Sequence, residues 1–214
     1  MAGDLVTFAL LSLSSIIIIV NPLGATLTFV SLTSGMDAPA RLKVAKESCR
    51  YAFLILLVFA LVGGIILQLF GITIEAFRIG GGILLFLIGM EMIYARTSRS
   101  KLTATEKYES IEAEDISVTP LAIPMIAGPG AITTTIVLMN QAMGSIPDIA
   151  MILIAIIIAI FLTYLMMVRS DTIVSRIGQK EFRAINRLMG MLLIAIAVQF
   201  VISGLSSAFP VLAG

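Results

Sequence analysis

The sequence predicts an all-α membrane protein: six transmembrane helices, arranged as two inverted three-helix repeats, with helices 1 and 4 broken at the midplane. Three observations carry this. The 214-residue chain is 59% hydrophobic and 13% charged, with a mean hydropathy of +1.09, whereas a soluble domain carries about 25% charged residues. Its apolar residues gather into six runs of membrane length. Two of these runs are interrupted near their middles, by Asn21-Pro22-Leu23-Gly24-Ala25-Thr26 and by Gly128-Pro129-Gly130-Ala131-Ile132-Thr133.

A helix needs roughly 20 apolar residues to cross the hydrocarbon. The runs that qualify are about 5–34, 51–70, 77–95, 119–142, 149–168 and 188–209. The first exceeds what one straight helix requires, and the fourth contains Pro120, Pro124, Gly128, Pro129 and Gly130. The N-terminus lacks the basic segment of a signal peptide, so the first run is expected to be a retained span. Segment 96–118 holds Arg96, Arg99, Lys101 and Lys107, then Glu106, Glu109, Glu112, Glu114 and Asp115. Mixed charge of this kind reads as a solvated linker between a first repeat at 1–95 and a second at 119–214.

Charge sets the expected topology. Loop 35–50 carries Arg41, Lys43, Lys46 and Arg50, the linker carries four more cations, and loop 169–187 carries Arg169, Arg176, Lys180, Arg183 and Arg187. Only Arg78 falls on the other side. By the positive-inside rule the three loops are cytoplasmic and both termini lie outside the cell (inner) membrane.

The halves resemble each other. Phe77-Arg78-Ile79-Gly80-Gly81-Gly82 aligns with Asn186-Arg187-Leu188-Met189-Gly190-Met191, matching Arg78 with Arg187 and Gly81 with Gly190 at an offset of 109; the two breaks align at an offset of about 107. Three spans per half is an odd number, so the second half enters from the opposite side, as in the inverted repeats of transporters. Pro129 lies about ten residues into its span, or ~15 Å at 1.5 Å per residue, near the middle of a ~30 Å core. Asn21 is similarly deep. Backbone breaks at such depth survive only where they are buried or line a cavity. The helix starts after Pro22 and Pro129 would converge there, with free N–H groups and positive dipole ends suited to a carboxylate. Carbonyl ends of the preceding half-helices could accept from an ammonium group, so a small zwitterionic substrate matches both.

The candidate substrate-binding residues are therefore Asn21, Pro22, Gly24 and Thr26 at the first break and Gly128, Pro129, Gly130 and Thr133 at the second. Hydroxyls cluster past each break, at Thr26 and Thr28 and at Thr133, Thr134 and Thr135. Such hydroxyls commonly bond their own i−4 carbonyl or a neighbouring helix; the equivalent positions of Thr26 and Thr133 favour a place in the cavity. Glu91 is the candidate ion-coupling carboxylate, against a reading as an ion-paired residue at a helix end. Arg78 is expected to anchor span 3 at the interface or to pair with Glu75, with substrate binding as the other reading. Gln199 and Asn140 are uncharged candidates for cavity lining or helix bridging. The glycines of spans 2 and 3 let backbones approach closely, and the Gly80-Gly81-Gly82 run lacks the context of a phosphate loop.

The NPLG run of span 1, the AFRIGGGILLFLIGMEM stretch of span 3 and the PLAIPMIAGPGAI stretch opening span 4 resemble the MarC family of bacterial and archaeal inner-membrane proteins. The resemblance covers nearly the whole chain. It implies a six-helix membrane protein, with members that move glycine and alanine driven by a cation gradient.

Other classes are disfavoured by what the chain lacks. With no His and a single Cys, Cys49, neither a metal site, a cofactor site nor a Cys/His nucleophile pair is expected, and no enzyme is predicted. A net charge of +1 without a basic aromatic stripe speaks against nucleic acid. The expected function is secondary transport of small neutral amino acids by alternating access, coupled to a proton or sodium gradient. The lipid bilayer is the expected surrounding, and the glycine-rich faces suit a homo-oligomer. An exporter of drugs or other metabolites and a non-transporting membrane protein are the alternatives.

Overall fold

A computed structural model describes residues 2–94, 116–176 and 179–209, all in helices and the turns between them. Nearly all of the charged segment 96–118 lies outside the described residues. The elements are α1 (Ala2–Val20), α2 (Pro22–Leu32), α3 (Ala38–Leu69), α4 (Ile74–Tyr94), α5 (Ser117–Ile126), α6 (Pro129–Gln141), α7 (Ile146–Val168), α8 (Ser170–Arg176) and α9 (Gln179–Ala208). Five stretches are long and apolar enough to cross a membrane, and a sixth is obtained when the bent pair α5–α6 is taken as one span.

Local chemistry sets the boundaries. Asn21 separates α1 from α2 in the left-handed region at φ 49°, ψ 68°, a conformation Asn tolerates better than most residues. Its side chain accepts from the Gly24 N–H at 3.1 Å. Backbone bonds from Asn21 N to Ile17 O and from Ala25 N to Asn21 O, both 3.0 Å, run up to this residue from either side. The interruption is thus one residue long, and Leu5–Leu32 forms a single 28-residue apolar stretch. The second junction is sharper: α5 and α6 meet at 53°. Thr119 and Ile123 leave helical geometry inside α5, each before a proline, whose ring pushes the preceding residue toward extended backbone.

Helix α3 begins thirteen residues before the expected span, capped by Asp37, whose carboxylate accepts from Ala40 N at 2.9 Å. Its 32 residues measure about 48 Å, against a ~30 Å hydrocarbon core. The apolar run fixes only the membrane-length part, and the charged first turns continue the same helix beyond it. At its far end Gly71 takes φ +65° and Ile72 N reaches back to Leu67 O at 2.9 Å, a Schellman-type stop.

The packing has a reciprocal pattern. α4 lies chiefly against α9; α1 and α2 pack on α7, while α5 and α6 pack on α3; and α3 and α7 touch each other. The larger core, with Ile16, Val20, Leu56, Ile126, Ile152 and Ile156, lies among α1, α3, α5 and α7, and a smaller one joins Leu85 and Val137 to Leu193, Ala197 and Phe200. The α4–α9 pair approaches at backbone distance: a methyl on Gly82 would stand 2.8 Å from the Ala197 carbonyl oxygen, and one on Gly89 would stand 2.9 Å from that of Gly190. Outward faces remain apolar, including Leu54, Val58, Leu61 and Ile65 on α3 and Ile154, Ile157 and Phe161 on α7. Such extensive exposed apolar surface marks a lipid-facing wall.

One ion pair ties the two halves of the chain. Arg41, near the start of α3, donates to both carboxylate oxygens of Asp171 at 2.9 Å and to the Ser170 hydroxyl at 3.2 Å, while its guanidinium stands 5.6 Å from the ring centroid of the buried Phe29. Asp171 is 76% exposed, so solvent screens the pair and its contribution is at most about 1 kcal/mol. Asp171→Asn should therefore lower the melting temperature by no more than roughly 4 °C, measured by fluorescence-detected thermal unfolding in detergent; a larger drop would show that the pair holds more than its own two charges.

Candidate functional site

The site is built where α6 begins. Gly128 is extended at φ −76°, ψ 171° and caps α6 without a side-chain hydrogen bond. Pro129 follows at the first helical position, where its missing N–H costs nothing. The first backbone bond of α6 runs from Ile132 N to Gly128 O at 3.0 Å, so the Gly130 and Ala131 N–H groups precede it. Close neighbours explain the two flanking glycines. A methyl on Gly128 would collide with the Pro124 carbonyl oxygen, and one on Gly130 would stand 2.6 Å from Leu85 Cδ2 and 3.4 Å from Ile19 Cδ1.

The two junctions adjoin. Ile19, two residues before Asn21, meets Gly130, two residues after Gly128. Thr28 Oγ1 lies 4.0 Å from Met125 Sδ, and Asn21 Nδ2 lies 4.0 Å from Met92 Sδ. The second junction borders open space. A groove of about 390 Å³ runs between α4 and α6, with Phe77, Gly80, Gly81, Leu84, Pro129 and Thr133 among its walls. Thr133 is its one polar side chain, and Gly81 makes room for that residue, since a methyl there would collide with Thr133 Cγ2.

The first-break residues are occupied internally. The Asn21 carboxamide caps Gly24 N, and Gly24 is held so close to that carboxamide that a methyl would strike it. Pro22 is buried, and the Thr26 hydroxyl, on a residue only 2% exposed, donates to Pro22 O at 2.7 Å. Thr28 bonds Gly24 O at 3.2 Å in the same way. Thr134 and Thr135 differ: both are buried and their hydroxyls find no partner. Glu91 is exposed near the end of α4. Arg78 is only 8% exposed, and the carboxylate of Glu75, one turn earlier on α4, acts on its charge as the sequence led one to expect. Gln199 bonds Ser203 at 3.2 Å, and Asn140 lies 3.8 Å from Met143 Sδ; neither is among the groove residues. Among the described residues no group of three or more His, Cys, Asp or Glu side chains could hold a metal.

Sequence reasoning missed Met92 and Met125, whose thioethers sit against the polar groups of the first junction. No spacing marks them among twelve methionines, because a flexible thioether fills gaps of any shape.

A helical bundle with five or six apolar helices long enough to cross a membrane and a largely apolar exterior is a multi-pass integral membrane protein. Comparison with known sequences gives its kinship. The family model described as MarC family integral membrane protein matches residues 6–209, and the chain belongs to that family. Similar proteins include the UPF0056 membrane protein MJ1677 of Methanocaldococcus jannaschii, 40% identical over 201 residues, which cover 94% of this chain and 97% of the relative. YvbG of Bacillus subtilis is 40% identical over 199 residues, covering 92% and 94%, and YhcE of Escherichia coli is 37% identical over 192 residues, covering 90% and 89%. Both are likewise named UPF0056 membrane proteins. No solved structure matches the chain.

Proposed function

We propose that the protein is a secondary active transporter of small neutral amino acids, glycine and alanine, working by alternating access and coupled to a proton or sodium gradient, and that it transports rather than catalyses. The observation that carries this reading is the start of α6 inside the bundle, with Pro129 and Thr133 on an open groove. Free N–H groups and the positive end of a helix dipole favour a carboxylate, and small zwitterions carry one. The reciprocal packing, α1 and α2 on α7 and α5 and α6 on α3, supports two inverted repeats that rock against each other.

In this reading the protein lies in the cell membrane with both termini outside and the Arg41–Asp171 side cytoplasmic, by the placement of Lys and Arg. Its partners are the zwitterion, the coupling cation and the bilayer, with homo-oligomers as an option for the glycine-rich faces. Glu91 remains the candidate carboxylate for coupling, to be tested by the pH-gradient response of Glu91→Gln.

The decisive experiment is uptake of labelled glycine and alanine into proteoliposomes, with imposed proton or sodium gradients. Thr133→Val should raise the apparent KM at least about fivefold, the loss of one hydrogen bond of ~1 kcal/mol, with little change in melting temperature. Thr26→Val should instead leave KM within about twofold, because its hydroxyl bonds its own helix. Equal KM effects of the two variants would restore the symmetric site, and no gradient-dependent uptake by folded protein would reject the reading. The largely apolar walls of the groove favour one second reading, export of a less polar metabolite. Competition separates the two: bulky apolar compounds, but not alanine, would then inhibit.

A further inference from the structure

We infer that Gly80 is a specificity-determining residue of the α4–α6 groove: the space left by its missing side chain holds the apolar side chain of the solute, so that the protein binds neutral amino acids larger than alanine. The inference deepens the transport reading and rests on it for amino acids as cargo, but the binding it describes is measurable without transport.

Gly80 lies in the groove wall itself. At about 100° per residue, the wall residues of α4 follow one another around the helix as Ala76, Gly80, Leu84, Phe77 and Gly81, which puts Gly80 inside the arc and not at its edge. A side chain there would project between the walls. Gly80 is exposed, and nothing lies within 4 Å of a methyl built on it. Its neighbour differs, because the notch at Gly81 is already filled by Thr133 Cγ2.

Size and polarity define the guest. The groove of about 390 Å³ has room for about thirteen waters at ~30 Å³ each. Alanine has six non-hydrogen atoms and leucine nine. Granted a whole water's share per atom, alanine leaves more than half of the groove empty and leucine still fits. None of the groove residues is charged, and Thr133 is the one polar side chain. An apolar side chain gains there by leaving water, whereas a polar one of equal size loses its water without gaining enough partners. Pro129 and Thr133 form the wall at the start of α6, so the solute's carboxylate faces α6 and its side chain runs along Phe77, Gly80 and Leu84.

The test is ligand-dependent thermal unfolding of the purified full chain in phosphatidylcholine nanodiscs, with glycine, alanine, leucine and asparagine as probes, on wild type, Gly80→Ala and Gly80→Val. Leucine and asparagine have the same number of non-hydrogen atoms, so their difference reports polarity and not size. Leucine should half-saturate the wild type at no higher a concentration than alanine, and asparagine should need at least about tenfold more than leucine. Gly80→Val should raise the leucine value at least about tenfold while glycine stays within about threefold; Gly80→Ala should fall between. A change in backbone stiffness alone would move both ligands together. Wild type that does not respond to leucine, asparagine that matches leucine, a Gly80→Val protein that responds to leucine like wild type, or equal shifts for glycine and leucine overturns the inference. Should Gly80→Val not fold, Gly80→Ala decides: an unchanged ratio of the leucine to the glycine value overturns the assignment. Gly80-dependent leucine binding without uptake of any of the four would reject the transport reading and leave this inference standing, whereas glycine and alanine uptake that leucine does not inhibit would do the reverse.

Discussion

Gly190→Val should lower the yield of folded protein and bring its melting temperature roughly 2–12 °C below wild type. A methyl at this position would stand 2.8 Å from the Gly89 carbonyl oxygen, 2.9 Å from Met92 Cβ and 3.1 Å from Ile93 Cγ1. Side chains can turn away from an intruder; a backbone carbonyl moves only with its helix. Overpacking that shifts backbone costs about 1–3 kcal/mol or more, and for a chain of this length each kcal/mol corresponds to roughly 2–4 °C. Gly89→Val should behave alike, since its methyl would meet the Gly190 carbonyl oxygen at 2.9 Å and Ile194 Cγ1 at 2.7 Å. Gly80→Val supplies the control. Nothing lies within 4 Å of a methyl there, so its melting temperature should stay within about 2 °C of wild type. Fluorescence-detected size exclusion after a heating series reads all three, and a Gly190→Val protein as stable as Gly80→Val would refute the close contact between α4 and α9.

Gly128→Ala should be the most damaging single methyl for uptake. It would drive the Pro124 carbonyl oxygen away and so change the angle at which α6 leaves α5. Because Gly130 is lodged against Leu85 and Ile19 on the other side, α6 cannot swing freely to compensate. Glycine uptake should fall by more than about tenfold, the equivalent of ~1.4 kcal/mol lost from the bound state, together with a drop of several degrees in melting temperature. Wild-type uptake by Gly128→Ala would mean that the start of α6 does not shape the binding site.

The apolar spans are readable from the residues because lipid imposes a simple rule: apolar runs of membrane length cross. Other features depend on what stands opposite, and a linear chain does not display that. Gly80, Gly81 and Gly82 are identical letters in a row, yet one faces open space, one meets Thr133 and one meets the backbone of α9. Thr26 and Thr133 occupy corresponding places past the two breaks, yet the first bonds Pro22 O within its own helix and the second lines the groove. The difference follows from Asn21, whose left-handed turn and capping carboxamide close the first junction on itself, whereas Gly128 has no side chain with which to do so. Helix α3 outran its expected start because hydropathy reports where lipid ends, and a capped helix can continue into water.

The α4–α9 seam also bears on how the molecule is made. Its notches, Gly82 and Gly89 on one side and Gly190 and Gly204 on the other, belong to the final helices of the two halves. While the ribosome works through α5 to α8, α4 waits in the bilayer with its notched face covered by lipid or by a stand-in. Synthesis of α9 ends that wait, and until then the notched face of α4 is open to pairing with another nascent chain.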